Sequence, residues 1–103
     1  MRTKYRMTDE TIKVNGHILH RIEALIDIPY AKVKAGDKGG FIESEENLSQ
    51  EGDCWVGDDA RVSGNAQVSG NAKVSGHAQV SGHARVSGNA EVSGTTKLSD
   101  ESA

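Results

Sequence analysis

The chain of 103 residues is poor in aromatic side chains, holds one cysteine and contains no long apolar run. Aromatics make up 4% and hydrophobic residues 35%, both low for a conventional packed globule. Val and Ala supply much of the apolar content, so any core is thin and needs a regular scaffold to fill it. The single cysteine, Cys54, permits no internal disulfide and fits a reducing compartment. No apolar run approaches the roughly 18 residues that a membrane-spanning helix needs. The stretch MRTKYRMTDETIKV is charged and lacks the apolar centre of a secretion signal, so the expected location is cytoplasmic. Net charge is only −3, which selects no class of partner. Its distribution says more. Residues 1–36 hold seven bases and four acids, residues 37–59 eight acids and one base, and residues 60–98 four bases and one acid.

What the chain does have is glycine, 12 in all, and a repeat: ARVSGNAQVSGNAKVSGHAQVSGHARVSGNAEVSG over residues 60–94. The unit is Ala-x-Val-Ser-Gly-(Asn/His), with a period of six. Val62, Val68, Val74, Val80, Val86, Val92 and Leu98 share one slot. Ala60, Ala66, Ala72, Ala78, Ala84, Ala90 and Thr96 lie two residues earlier, on the same side of an extended chain. Between them stand Arg61, Gln67, Lys73, Gln79, Arg85, Glu91 and Lys97, all polar and all facing outward. Ser-Gly-Asn or Ser-Gly-His then supplies a corner, because Gly and Asn accept backbone conformations that other residues avoid. A helix is excluded: a Gly in every unit would cost about 1 kcal/mol each relative to Ala.

The pattern reaches back beyond the obvious copies. Cys54 and Val56 take the Ala and Val slots, Leu48 a Val slot, and Gly40 and Ile42 both slots again, giving ten hexads over residues 40–98. Leu48 and Val56 are eight apart, so QEGD carries a two-residue insertion at a corner. The repeat resembles the hexapeptide signature of left-handed parallel β-helices, in which an aliphatic residue is followed four positions later by a small one, as Val62 is by Ala66. That resemblance implies an all-β fold, a short left-handed parallel β-helix of about three triangular coils, three hexads and 18 residues to a coil. Val62, Val80 and Leu98 would then stack in one ladder, Val56, Val74 and Val92 in a second, and Val68 and Val86 in a third, with Lys73 beside Glu91.

Residues 1–36 do not follow the hexad. TIKVNGHIL sets Asn-Gly between two alternating runs, a hairpin signal, and HILHRIEALIDI continues as β-type sequence until Pro29. The expected organisation is an N-terminal β-hairpin cap at 1–36, the repeat solenoid at 37–98 and a tail at 99–103, where Asp100 and Glu101 would blunt the last edge by charge.

The stretch VKAGDKGGFIESEENLSQEGDCWV is more specific than the hexad. Through Val33, Lys34, Ala35, Gly36, Gly39, Gly40, Leu48, Ser49, Gln50, Gly52, Asp53, Cys54 and Trp55 it is similar to the YdcK-like hexapeptide-repeat proteins and their short phage and prophage relatives. The likeness runs from about residue 21 to residue 98. It implies the β-helix fold, and brings with it the acyltransferase label that such proteins often carry.

The residues themselves assemble no catalytic, cofactor-binding or metal-binding constellation. His77 and His83 take the Asn slot of consecutive hexads, at corners on different sides of a triangular coil. His17 and His20 point to opposite faces of a strand. The bases of the repeat are spread over all sides and aromatics are too few to stack on, so nucleic acid is not an expected ligand. Two aromatics stand out: Phe41 and Trp55 occupy outward slots where later hexads are polar, so either the hairpin or a partner covers them. With Glu43, Glu45, Glu46, Glu51, Asp53, Asp58 and Asp59 they form the candidate partner surface. The expectation is a non-catalytic interaction or assembly module, binding a protein partner or itself as a dimer or trimer, needing no cofactor and no membrane. The likeness to phage proteins suggests one that binds and inhibits a bacterial defence protein. The alternatives are acyl-CoA-dependent acyl transfer and a purely structural, self-assembling role.

Overall fold

The structure, a computed structural model, describes residues 3–14 and 16–99. Among them every regular element is a β-strand apart from two short 3-10 turns, Pro29–Ala31 and Glu45–Asn47. The alternation of nine of the ten hexads forms one short strand each, and that of Leu48 a single bridge: β3 (Lys38–Ile42), β4 (Trp55–Val56), β5 (Arg61–Val62), β6 (Gln67–Val68), β7 (Lys73–Val74), β8 (Gln79–Ser81), β9 (Arg85–Val86), β10 (Glu91–Val92) and β11 (Lys97–Ser99). The Ser-Gly pairs turn the chain between them. Gly64, at φ 65, shows why the slot is glycine: the corner needs the left-handed region, where a side chain would be strained.

The strands form three parallel walls of a solenoid of about three coils. The first wall runs β3-β5-β8-β11, the second β4-β7-β10, and the third β6-β9, with Leu48 bridging onto Val68. The expected ladders are present. Val62 pairs with Val80 and Val80 with Leu98; Val56 and Val92 flank Val74; Val68 meets Val86; and Glu91 lies beside Lys73. Partners in these ladders are 18 residues apart, but Ile42 pairs with Val62 and Leu48 with Val68, 20 apart, because the insertion lengthens the first coil. Ala60, Val62, Ala66, Val68, Ala72, Val74, Ala78, Val80, Ala84 and Val86 are buried and form one thin core. Backbone N–H groups donate from one coil to the next, as Arg61 N–H does to Ala78 O (2.9 Å) and Ser63 N–H to Val80 O (2.9 Å).

β1 (Tyr5–Val14) and β2 (His17–Ala24) pair antiparallel as a hairpin, with Val14 opposite His17. Asn15, Asp100 and Glu101 lie outside the described residues. β2 pairs with β3, so the hairpin continues the first wall and shares the solenoid's core through Tyr5, Ile22 and Ala24. The start of β1 also reaches the other two walls. In later coils, the carbonyls of Val68, Gly70 and Ala72 accept N–H groups from the coil before them. In the first coil the matching carbonyls have no preceding coil, and side chains take its place. The Tyr5 hydroxyl donates to Leu48 O, and the Lys4 ammonium donates to Cys54 O (2.7 Å) and Gly52 O (3.4 Å). Burial pushes the Tyr5 hydroxyl's pKa well above the ordinary tyrosine range, so it remains a neutral donor.

Candidate functional site

The acids of residues 43–59 do not gather into one patch. They fall at the three corners of the first coil: Glu43, Glu45 and Glu46 between the first and third walls, Glu51 and Asp53 between the third and second, Asp58 and Asp59 between the second and first. Their surroundings divide them further.

Three are tied into the chain. Glu43 accepts the Gly64 N–H (2.7 Å) and meets His17 Nδ1 at 2.9 Å. The hydrogen bond to His17, then the one from Gly64, hold its carboxyl below the usual pKa. Asp58 occupies the corner slot that glycine takes in the repeat, at φ 54, and its carboxylate accepts the Gly76 N–H (3.0 Å). Asp59 lies 3.5 Å from the Arg21 guanidinium and 4.0 Å from His77 Nδ1. Asp53 is half-buried, and its N–H donates to Asn71 Oδ1 (3.3 Å). Glu45, Glu46 and Glu51 differ: they are exposed, and their side chains make no hydrogen bond or ion pair among the described residues. They flank one wall, on either side of Leu48.

Phe41 and Trp55 do stand in outward slots, but neither is exposed; the chain itself covers them. Phe41 sits between Arg21 and Arg61 on neighbouring strands, and the Arg21 guanidinium lies 4.3 Å from its ring centre. Arg21 is held there by Glu10 Oε2 (2.9 Å) and Gly39 O (2.7 Å). Trp55 meets the edge of Tyr5 at 6.5 Å. Their place is the seam between hairpin and solenoid, a role the sequence leaves open between the hairpin and a partner.

One buried polar residue carries no signal in the hexad. Asn47 Oδ1 accepts the N–H groups of Glu43 (2.9 Å) and Ser44 (2.8 Å), while Nδ2 donates to Gly64 O (3.2 Å) and Ala66 O (2.9 Å). All four bonds of the amide are made. The Ser44-x-x-Asn47 spacing of a capping box is the signal that finds it. His77 and His83 stand at different corners, as expected. Among the described residues no three His, Cys, Asp or Glu side chains gather around a metal position, and no helix is long and apolar enough to cross a membrane.

Residues 55–70 and 78–94 match the model of the YdcK beta solenoid repeat. The chain carries YdcK-type β-solenoid repeats. Both matched stretches span strands and corners of the three-walled coil, so the family model and the geometry describe the same unit. No curated protein matches the chain. In this YdcK-type solenoid the outward slots are the positions that vary from hexad to hexad, while the Ala and Val slots are held by packing.

Proposed function

We propose that this YdcK-type solenoid is a non-catalytic interaction module that binds a protein partner through the acidic edge formed by Glu45, Glu46 and Glu51. The observation that carries the reading is the sorting of the acids. Glu43, Asp58 and Asp59 have work to do inside the chain, whereas these three carboxylates have none and flank one rigid wall. A partner with a basic surface fits them, and charge complementarity of this kind sets association rate and choice of partner. The likeness to short phage proteins supports a finer form: the module occupies and blocks a bacterial protein, a defence component among the candidates.

The test is a Glu45→Lys, Glu46→Lys, Glu51→Lys variant, which alters only exposed groups. Wild type and variant of equal melting temperature are used to capture proteins from bacterial lysate, and the captured protein is purified and titrated against both. The reading expects binding at least about tenfold weaker for the variant, with wild-type affinity falling as salt rises. Equal affinity for both would sink it.

A second reading, self-assembly, has its own support. The outer edges of β9, β10 and β11 pair with no strand among the described residues. Arg85, Glu91 and Lys97 on those edges carry both signs of charge, so two copies meeting end to end can set Glu91 beside a base.

A further inference from the structure

A cavity of about 360 Å³ lies between the hairpin tip and the first wall, at the corner where Gly64 turns towards the third wall. Val14, His17, Arg61, Asn65, Gln79 and His83 line it. Arg61 stands on the wall with Phe41 and Gln79 as its cross-strand neighbours. Its guanidinium makes no hydrogen bond or ion pair among the described residues, and its Nε is enclosed without a partner. The acids of this corner do not serve it: Glu43 is shared between the Gly64 N–H and His17, and Glu45 and Glu46 make no ion pair among the described residues. Two other arginines show the contrast, since Arg6 is paired with Glu23 and Arg21 with Glu10.

A partly enclosed guanidinium is costly when its donors are unmet, and such groups in folded proteins are nearly always satisfied by something. Beside Arg61 the cavity offers further donors, the side-chain amides of Asn65 and Gln79, and no carboxylate lines it. We propose that this cavity is an oxyanion site, taking a carboxylate or a phosphate group whose oxygens accept from the Arg61 guanidinium and from these amides. The planar fork of arginine suits a group with two coplanar or paired oxygens, and loss of the fork removes both contacts at once. The site is separate from the acidic edge proposed above and stands without it.

The repeat itself supplies test variants that keep the fold. Gln fills the slot of Arg61 at positions 67 and 79, and Asn fills the slot of His83 at positions 65, 71 and 89. Inorganic phosphate and acetate are titrated separately, at constant ionic strength, into the full ¹⁵N-labelled chain and into Arg61→Gln and His83→Asn. Lys73→Gln, on the second wall, serves as control. The expected result is a saturable shift of the Gly64, Asn65 and Gly82 amides and of the Arg61 Nε–H. Affinity should fall about tenfold or more in Arg61→Gln and stay unchanged in Lys73→Gln. Saturation by phosphate alone assigns a phosphoryl group, and by acetate alone a carboxylate. Linear, unsaturable shifts with both anions, or an undiminished affinity in a folded Arg61→Gln, overturn the proposal.

Discussion

A lysine ammonium with no solvent exposure needs acceptors around it, and Lys4 takes them from the backbone of the first coil. Lys4→Met keeps the apolar stem and removes the donors, leaving Cys54 O and Gly52 O without them. The expected loss is about 2 kcal/mol in a urea unfolding curve, the range for buried hydrogen bonds to charged groups. An unchanged midpoint would mean that water replaces the ammonium. Glu43 makes a second prediction through pH. Its folded pKa is held below the ordinary value, so the unfolded chain binds the proton more readily and stability rises with pH there. That contribution is complete above the ordinary carboxylate range, near pH 4.3, and is lost as pH falls through the lower folded value. Glu43→Gln should flatten this part of the stability–pH curve relative to wild type. Neither residue's role is legible in the sequence. Lys4 sits in an ordinary charged stretch, and its acceptors lie 48 and 50 positions away. Glu43 reads as one of eight acids, because what separates it from Glu45 is a corner amide, Gly64, supplied by another coil.

At the scale of the element, the hexad was legible because its slots are set by local rules. Alternation puts Val and Ala inside, and Ser-Gly turns the chain, so the ladders followed once the coil length was known. Even the insertion was visible as the eight-residue gap between Leu48 and Val56. The same rules mislead at Gly40. By register it matches Ala60, so slot logic rates Gly40→Ala as harmless. In the structure an added Cβ would meet Ala60 O at 2.5 Å and Val56 Cγ1 at 2.8 Å. Backbone on one side and a packed valine on the other leave little room to move. Gly40→Ala should therefore destabilise by about 1–3 kcal/mol, the usual cost of overpacking. Ala78→Gly, in the equivalent slot, measured alongside, would separate this clash from a general dislike of change at that position. A neutral Gly40→Ala would show that β3 shifts freely against the hairpin.

For the whole molecule, the hairpin and the solenoid form one continuous core through Tyr5, Ile22 and Ala24, with Phe41 and Trp55 covered at the seam. The sequence pointed to those two rings correctly as needing cover, but it could not say that Arg21 and Tyr5 would supply it, since side-chain contacts between distant segments have no local pattern. Self-assembly is tested at this scale by light scattering over a range of concentrations. If the edges of β9, β10 and β11 meet those of a second copy, the mass should rise above 11.0 kdalton with concentration, and Glu91→Lys should reduce it. A constant monomer mass would remove that reading and leave the foreign partner.

The longer first coil has a consequence for a chain whose later hexads are nearly interchangeable. Such a chain can align with itself one coil too far along and lose few contacts. Lys4 and Tyr5 fit only the carbonyls of the coil that contains Gly52 and Leu48, so that coil sets the origin from which the others are counted. Gaining 18 residues of repeat would lengthen the molecule and leave each outward side chain on its own wall. Gaining a single hexad would carry every later one round to the next.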